Sequence, residues 1–184
     1  MSENGGLCLS DLPHAPIHKF GAAGAYMVTA GTYGKLPLFD TPEKKEMLML
    51  EFFRLVKELG WQPQAWAFLN NHYHVVVVDE TQTMDLAYFV QRLHGTTAFR
   101  LNNMDALPGR QVWYQYWDRR LTSAQTYWAR IKYAQENPVH HRLVLNSVDY
   151  RWCSARWFSQ HADAQLSKML TRFSIAKLNE LDEF

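Results

Sequence analysis

"QPQAWAFLNNHYHVVVV", residues 62–78, decides how this chain folds. Two runs rich in β-formers flank an Asn-Asn pair, a combination that turns a chain tightly. The spacing predicts a hairpin with strands at 62–69 and 72–78, and with Asn70-Asn71 supplying positive φ at the turn. Side chains on a strand alternate between faces. His72 and His74 therefore share one face, while Tyr73, Val75 and Val77 point to the other. Two imidazoles at i and i+2 can grip one metal ion, but they supply only two ligands, and a third must come from elsewhere. Taken alone, such a pair is more often two hydrogen-bonded strand residues than a metal site.

Working outward, "GAYMVTAGTYG" at 24–34 reads as a first strand. "DTPEKKEMLMLEFFRLVKELG" at 40–60 reads as a helix, with Thr41 as N-cap, Pro42 at its first position and Gly60 as its stop. Leu48, Phe52, Leu55 and Leu59 form its apolar stripe. A second helix is expected over about 84–103, with Leu86, Phe89, Val90 and Leu93 inward. A fourth strand falls within 109–122, a third helix spans 123–137 and stops before Pro138, and a last helix covers about 163–181. The order β-α-β-β-α-β-α, with two crossover helices on a small antiparallel sheet, predicts a ferredoxin-like α+β fold. The chain divides into a loose arm at 1–20, one domain at 21–160 and a helical tail at 161–184.

The 184 residues are 47% hydrophobic and 14% aromatic, enough for one well-filled core. No apolar run is long enough to span a bilayer, and the first twenty residues do not read as a signal peptide, so no membrane partner is expected. Two distant cysteines, Cys8 and Cys153, point to a reduced cytoplasmic protein without a disulfide framework. The net charge of +1 hides an asymmetry: from Arg92 to Arg156 there are ten Lys/Arg and four Asp/Glu. A basic second half suits a polyanionic partner, although chance clustering on solvated faces is as ready an explanation.

The helix "SAQTYWARIKYAQEN" supplies what the histidines lack. At 100° per residue, Ala124, Tyr127, Trp128, Ile131 and Gln135 gather on one side. Thr126, Arg130, Tyr133 and Asn137 gather nearly opposite, so Tyr133 is expected off the apolar stripe. Tyr133 and Asn137 stack at i and i+4. Their face offers a nucleophile, an amide oxygen that can bind a metal, and a cation.

Four segments in this order carry a family resemblance. "NNHYHVVV" is similar to the HUH motif (His, hydrophobic, His) of single-tyrosine transposases. "YAQENPVHHRLV" resembles the Tyr-x-x-x-Asn-Pro-Val signature of the REP-associated tyrosine transposases. "VWYQYWDRRL" resembles the Trp-rich strand before that helix, and "DYRWCSA" the Tyr/Trp-Ser element after it. The resemblance runs from about 24 to 158. It implies that His72, His74 and Asn137 hold a divalent ion, Mg²⁺ or Mn²⁺, and that Tyr133 is the nucleophile. It implies single-stranded DNA beside a hairpin as substrate, nicked and rejoined through a 5′-phosphotyrosine intermediate. Arg130 and Lys132 are placed to favour the phenolate. Arg92, Arg100, Arg119 and Arg120 are expected, as a group, to contact DNA. The family is built as monomers or as homodimers, and either fits this chain.

One position departs from the family. After Asn-Pro-Val the pattern has a glycine where this chain has Arg142, so Arg142 must find another geometry or accept strain. Two other functions stay open on sequence alone. One is a non-catalytic protein that binds DNA hairpins. The other is a small metal-dependent phosphodiesterase in which water attacks.

Overall fold

The computed structural model describes residues 24–79 and 85–173, so the arm at 1–20 with Cys8, and everything after 173, lie outside the described residues. Four strands make one antiparallel sheet: β1 (Ala25–Thr32), β2 (Gln62–Phe68), β3 (His72–Val78) and β4 (Trp113–Arg120), in the spatial order β2-β3-β1-β4. Helix α1 (Pro42–Glu58) links β1 to β2, and α2 (Leu86–Met104) links β3 to β4. This is the ferredoxin-like α+β arrangement. Helices α3 (Ala124–His140), α4 (Ser154–His161) and α5 (Ala164–Thr171) follow.

The hairpin forms, with β3 at the expected bounds and β2 ending one residue early at Phe68, and it is closed by the Leu69 N–H donating to the His72 carbonyl at 2.9 Å. Its turn differs from expectation in mechanism. Neither Asn70 nor Asn71 takes a positive φ. The two asparagines act through their side chains instead, as the site shows below.

One face of the sheet carries α1 and α2. Thr41 caps α1 by accepting from the Lys44 N–H, and Leu48, Phe52 and Leu55 are fully buried along it. Phe52 meets Phe68 of β2 and Phe89 of α2 edge-on, at 5.4 and 6.1 Å between ring centroids. Tyr73 enters this layer, where its hydroxyl pairs with His94 Nε2 at 2.9 Å. His94 in turn stacks on Trp113 at 4.5 Å. Burial holds His94 well below the ordinary imidazole range, at about 4, and raises the Tyr73 phenol. The other face is covered over β2 and β3 by α3, whose Tyr127 hydroxyl donates to Gln64 Oε1 at 2.7 Å. β3 is thus buried along both faces, which is why its valines run unbroken.

The fourth strand lies within its expected span, at Trp113–Arg120. Two boundaries move. α3 does not stop before Pro138 but runs through it to His140. Pro138 has no N–H for the Ala134 carbonyl, so that group loses its helical donor. The buried Cys153 thiol compensates in part, donating toward the Gln135 and Ala134 carbonyls at 3.4 and 3.9 Å. Among the described residues the last helix ends at Thr171, and Leu166 and Leu170 join it to the main core.

Candidate active site

β3 and α3 bring the two halves of the expected constellation together. His72 and His74 are each 1% exposed, and their rings lie 5.0 Å apart. Asn137 projects from α3 so that its Oδ1 is 3.3 Å from His72 Nε2. One turn earlier, the Tyr133 ring meets His74 edge-on at 5.1 Å. The Arg130 guanidinium lies over the Tyr133 ring at 5.9 Å. Tyr133 is only 4% exposed and belongs to the main core, which corrects the expectation that it lies off the apolar stripe. α3 is buried on two sides, one apolar and one formed by the histidine strand, so an apolar stripe alone understates what it covers.

The histidines are oriented by hydrogen bonds from behind. Asn71 Nδ2 donates to the Lys35 carbonyl at 3.3 Å, which turns Asn71 Oδ1 toward His72 Nδ1 at 2.7 Å. An amide oxygen only accepts, so His72 Nδ1 carries the proton and Nε2 presents a lone pair toward Asn137. Thr29 Oγ1 lies 2.8 Å from His74 Nδ1 and can do the same for that ring. Lys45 braces the turn: its ammonium donates to Asn70 Oδ1 at 2.9 Å and to the Phe39 carbonyl at 3.0 Å, and it sits over the Trp152 ring. Burial lowers the Lys45 pKa.

The arrangement fits a cation chemically. An imidazole lone pair and an amide oxygen, both acceptors, face each other at 3.3 Å. Two imidazoles and one amide oxygen leave coordination positions for a phosphate oxygen and water. Among the described residues no three His, Cys, Asp or Glu gather as a metal cluster, so Asn137 is needed to complete a set of three.

One neighbour of the histidine pair was not expected there. His141 caps α3, four residues beyond Asn137 on the same face, and its ring lies 4.8 Å from that of His72. The i, i+4, i+8 spacing of Tyr133, Asn137 and His141 was the available signal, but ending the helix before Pro138 hid it.

The cations expected to touch DNA do not stand together. Arg92 pairs with Glu58, and Arg100 pairs with the buried Glu51 at 3.4 Å, so both tie α2 to α1 on the far face of the sheet. Arg120 pairs across β1 with Tyr26, which faces that same layer. Arg119 pairs with Met27 and thereby shares the face of the histidines. Lys132 turns from Tyr133 to donate to the Phe173 carbonyl at 2.8 Å, with Glu136 nearby. Arg119, Arg130 and Lys132 are thus the three of the six on the histidine side of the sheet, with the Lys132 ammonium turned toward Phe173.

No family profile matches the sequence, and no curated protein matches it. Among solved structures, a REP-associated tyrosine transposase bound to a REP hairpin superposes with a TM-score of 0.60 at 16% identity, over 75% of this chain and 80% of that one. A second, assigned as a transposase of Deinococcus radiodurans, aligns at 15% identity with a TM-score of 0.46, over 58% of this chain and 86% of that one. The four-stranded sheet with its flanking helices is the fold of a REP-associated tyrosine transposase.

Proposed function

We propose that the protein nicks and rejoins single-stranded DNA beside a hairpin, using Tyr133 as nucleophile and a divalent ion held by His72, His74 and Asn137. The observation that carries this reading is the meeting of Tyr133 with His74 one helical turn from the Asn137–His72 contact. The hairpin substrate is supported by the solved relative, which was captured on a REP hairpin.

The Tyr133 phenol gives its proton to water, and its oxygen attacks the phosphorus, forming a Tyr–O–P bond as the P–O3′ bond breaks. The 3′ oxygen departs and takes a proton from water. The DNA 5′ phosphate stays on the protein, and attack by a 3′-hydroxyl reverses the step without another energy source. A bound divalent ion supplies charge neutralisation at a non-bridging oxygen. The chain's own contribution is positioning: β3 and α3 fix the tyrosine against the histidines. Arg130 keeps a positive charge beside the tyrosine ring. An unperturbed phenol ionises near pH 10. Imidazole donors suit Mn²⁺ better than Mg²⁺, which prefers an all-oxygen shell. Because one chain brings Tyr133 to its own histidine pair, a monomer can complete the site.

Cleavage of a labelled hairpin oligonucleotide with single-stranded flanks tests this reading. Cleavage is expected with Mn²⁺ or Mg²⁺, and its loss is expected on chelation and in His72→Ala or His74→Ala. Binding without cleavage in wild type would favour a non-catalytic hairpin binder. Cleavage that survives Tyr133→Phe would favour attack by water.

A further inference from the structure

We propose that Trp117 and Arg119 of β4 form a subsite for an unpaired nucleotide next to the cleaved phosphate, the indole stacking on the base and the guanidinium holding its phosphate. The inference rests on the single-stranded DNA reading above, and it follows from sheet register. Thr29 of β1 is the cross-strand partner of His74 on one side and of Trp117 on the other. Paired residues share a face, and Thr29 Oγ1 already lies 2.8 Å from His74 Nδ1. His74, Thr29 and Trp117 therefore form one row across the sheet, two interstrand spacings long, or about 10 Å. One or two unpaired nucleotides cover that reach.

The next row on the same face is Val76, Met27 and Arg119. Asp118, between Trp117 and Arg119, pairs with Val28 and points the other way. No acid stands among the paired residues of this face on β1, β3 and β4. Trp117 keeps 50% of its surface exposed, unlike Trp61, Trp66, Trp113, Trp128 and Trp157, which are buried. Among the described residues α3 packs over β2 and β3, which leaves the β4 edge of the face bordering the site. Gly31, which pairs with His72, places no side chain beside that imidazole, and the β1–β4 ladder shifts register between Ala30 and Thr32. Bulges of this kind recur beside active sites. An exposed indole next to a guanidinium is the chemistry that holds single strands without reading sequence, because every base offers a π-face.

The test is equilibrium binding of the full chain to two fluorescent oligonucleotides in chelator, where no strand is cut: one hairpin with a single-stranded flank and the same hairpin blunt. Trp117→Ala should weaken binding of the flanked hairpin at least about fivefold, leave the blunt hairpin unchanged, and be largely rescued by Trp117→Phe. An abasic site at one flank position should reproduce the loss in wild type and add nothing in Trp117→Ala. Arg119→Ala should lower the salt dependence by about one phosphate contact. Equal loss on both hairpins, wild-type affinity of Trp117→Ala for the flanked one, or no abasic position that cancels the effect, overturns the proposal. If the flank depends on Trp117 but Tyr133 forms no DNA adduct, the strand-transfer reading fails and the subsite stands. If the adduct forms and Trp117 does not matter, the subsite alone falls.

Discussion

Arg142 shows what one residue tolerates for the sake of a helix end. It follows the cap of α3 with a φ of +57°, left-handed backbone that a Cβ disfavours. Its N–H bonds the Val139 carbonyl and the Leu143 N–H bonds the Pro138 carbonyl, both at 2.9 Å, which is the Schellman closure. The sequence marked this position because the resembling family carries glycine there, and the structure keeps the glycine geometry with an arginine in it. Arg142→Gly should therefore raise the unfolding free energy by up to about 1 kcal/mol in urea titrations. Asn71 is the opposite case. Its sequence position suggested only a turn, because the carbonyl of Lys35 that fixes its amide is 36 residues away. If it sets the His72 tautomer as argued, Asn71→Ala should lower Mn²⁺ affinity about 10- to 100-fold in calorimetric titration, with little change in the far-UV spectrum.

At the level of elements, α3 decides whether there is a site at all. Its start was legible: Ser123 and Thr126 form a reciprocal capping box, and Ser123→Ala should cost about 1 kcal/mol of stability by denaturant unfolding. Its burial and its end were not. A helical wheel shows the stripe that meets apolar neighbours, but the side bearing Tyr133 and Asn137 is buried against imidazoles, which hydropathy does not count as core. Pro138 reads as a stop, yet a proline near the end of a helix removes one donor rather than the helix. The thiol that answers the freed carbonyl region comes from Cys153, which no local pattern connects to it. The two strands of the hairpin, by contrast, were readable to within a residue, because alternation is a local signal, whereas the conformation of its turn was not.

Across the whole molecule, topology was legible and the sidedness of charge was not. Strand order followed from the sequence of elements, but which face Arg119 or Arg120 takes depends on register with β1, and Arg92 and Arg100 are held by Glu58 and Glu51 from another helix. The excess of cations in the second half is thus partly internal bracing. The far face carries a pH response of its own. An unfolded imidazole protonates near 6.5, while burial holds His94 at about 4. Above 6.5 it is neutral in both states. As pH falls from 6.5 toward 4 the unfolded chain takes the proton first, so the fold loses stability, by at most about 1.4 kcal/mol per pH unit. His94→Gln should flatten that part of the stability profile relative to wild type. On the histidine side of the sheet, the proposed reaction joins Tyr133 covalently to DNA. The direct measurement is to incubate the protein with a flanked hairpin oligonucleotide and Mn²⁺, digest with trypsin, and weigh the peptides by mass spectrometry. Cuts after Lys132 and Arg142 release residues 133–142. That peptide should carry the mass of a 5′-phosphorylated nucleotide fragment, and Tyr133→Phe should abolish it. An adduct on a different tyrosine, or cleaved DNA with no protein-linked product, would contradict the account.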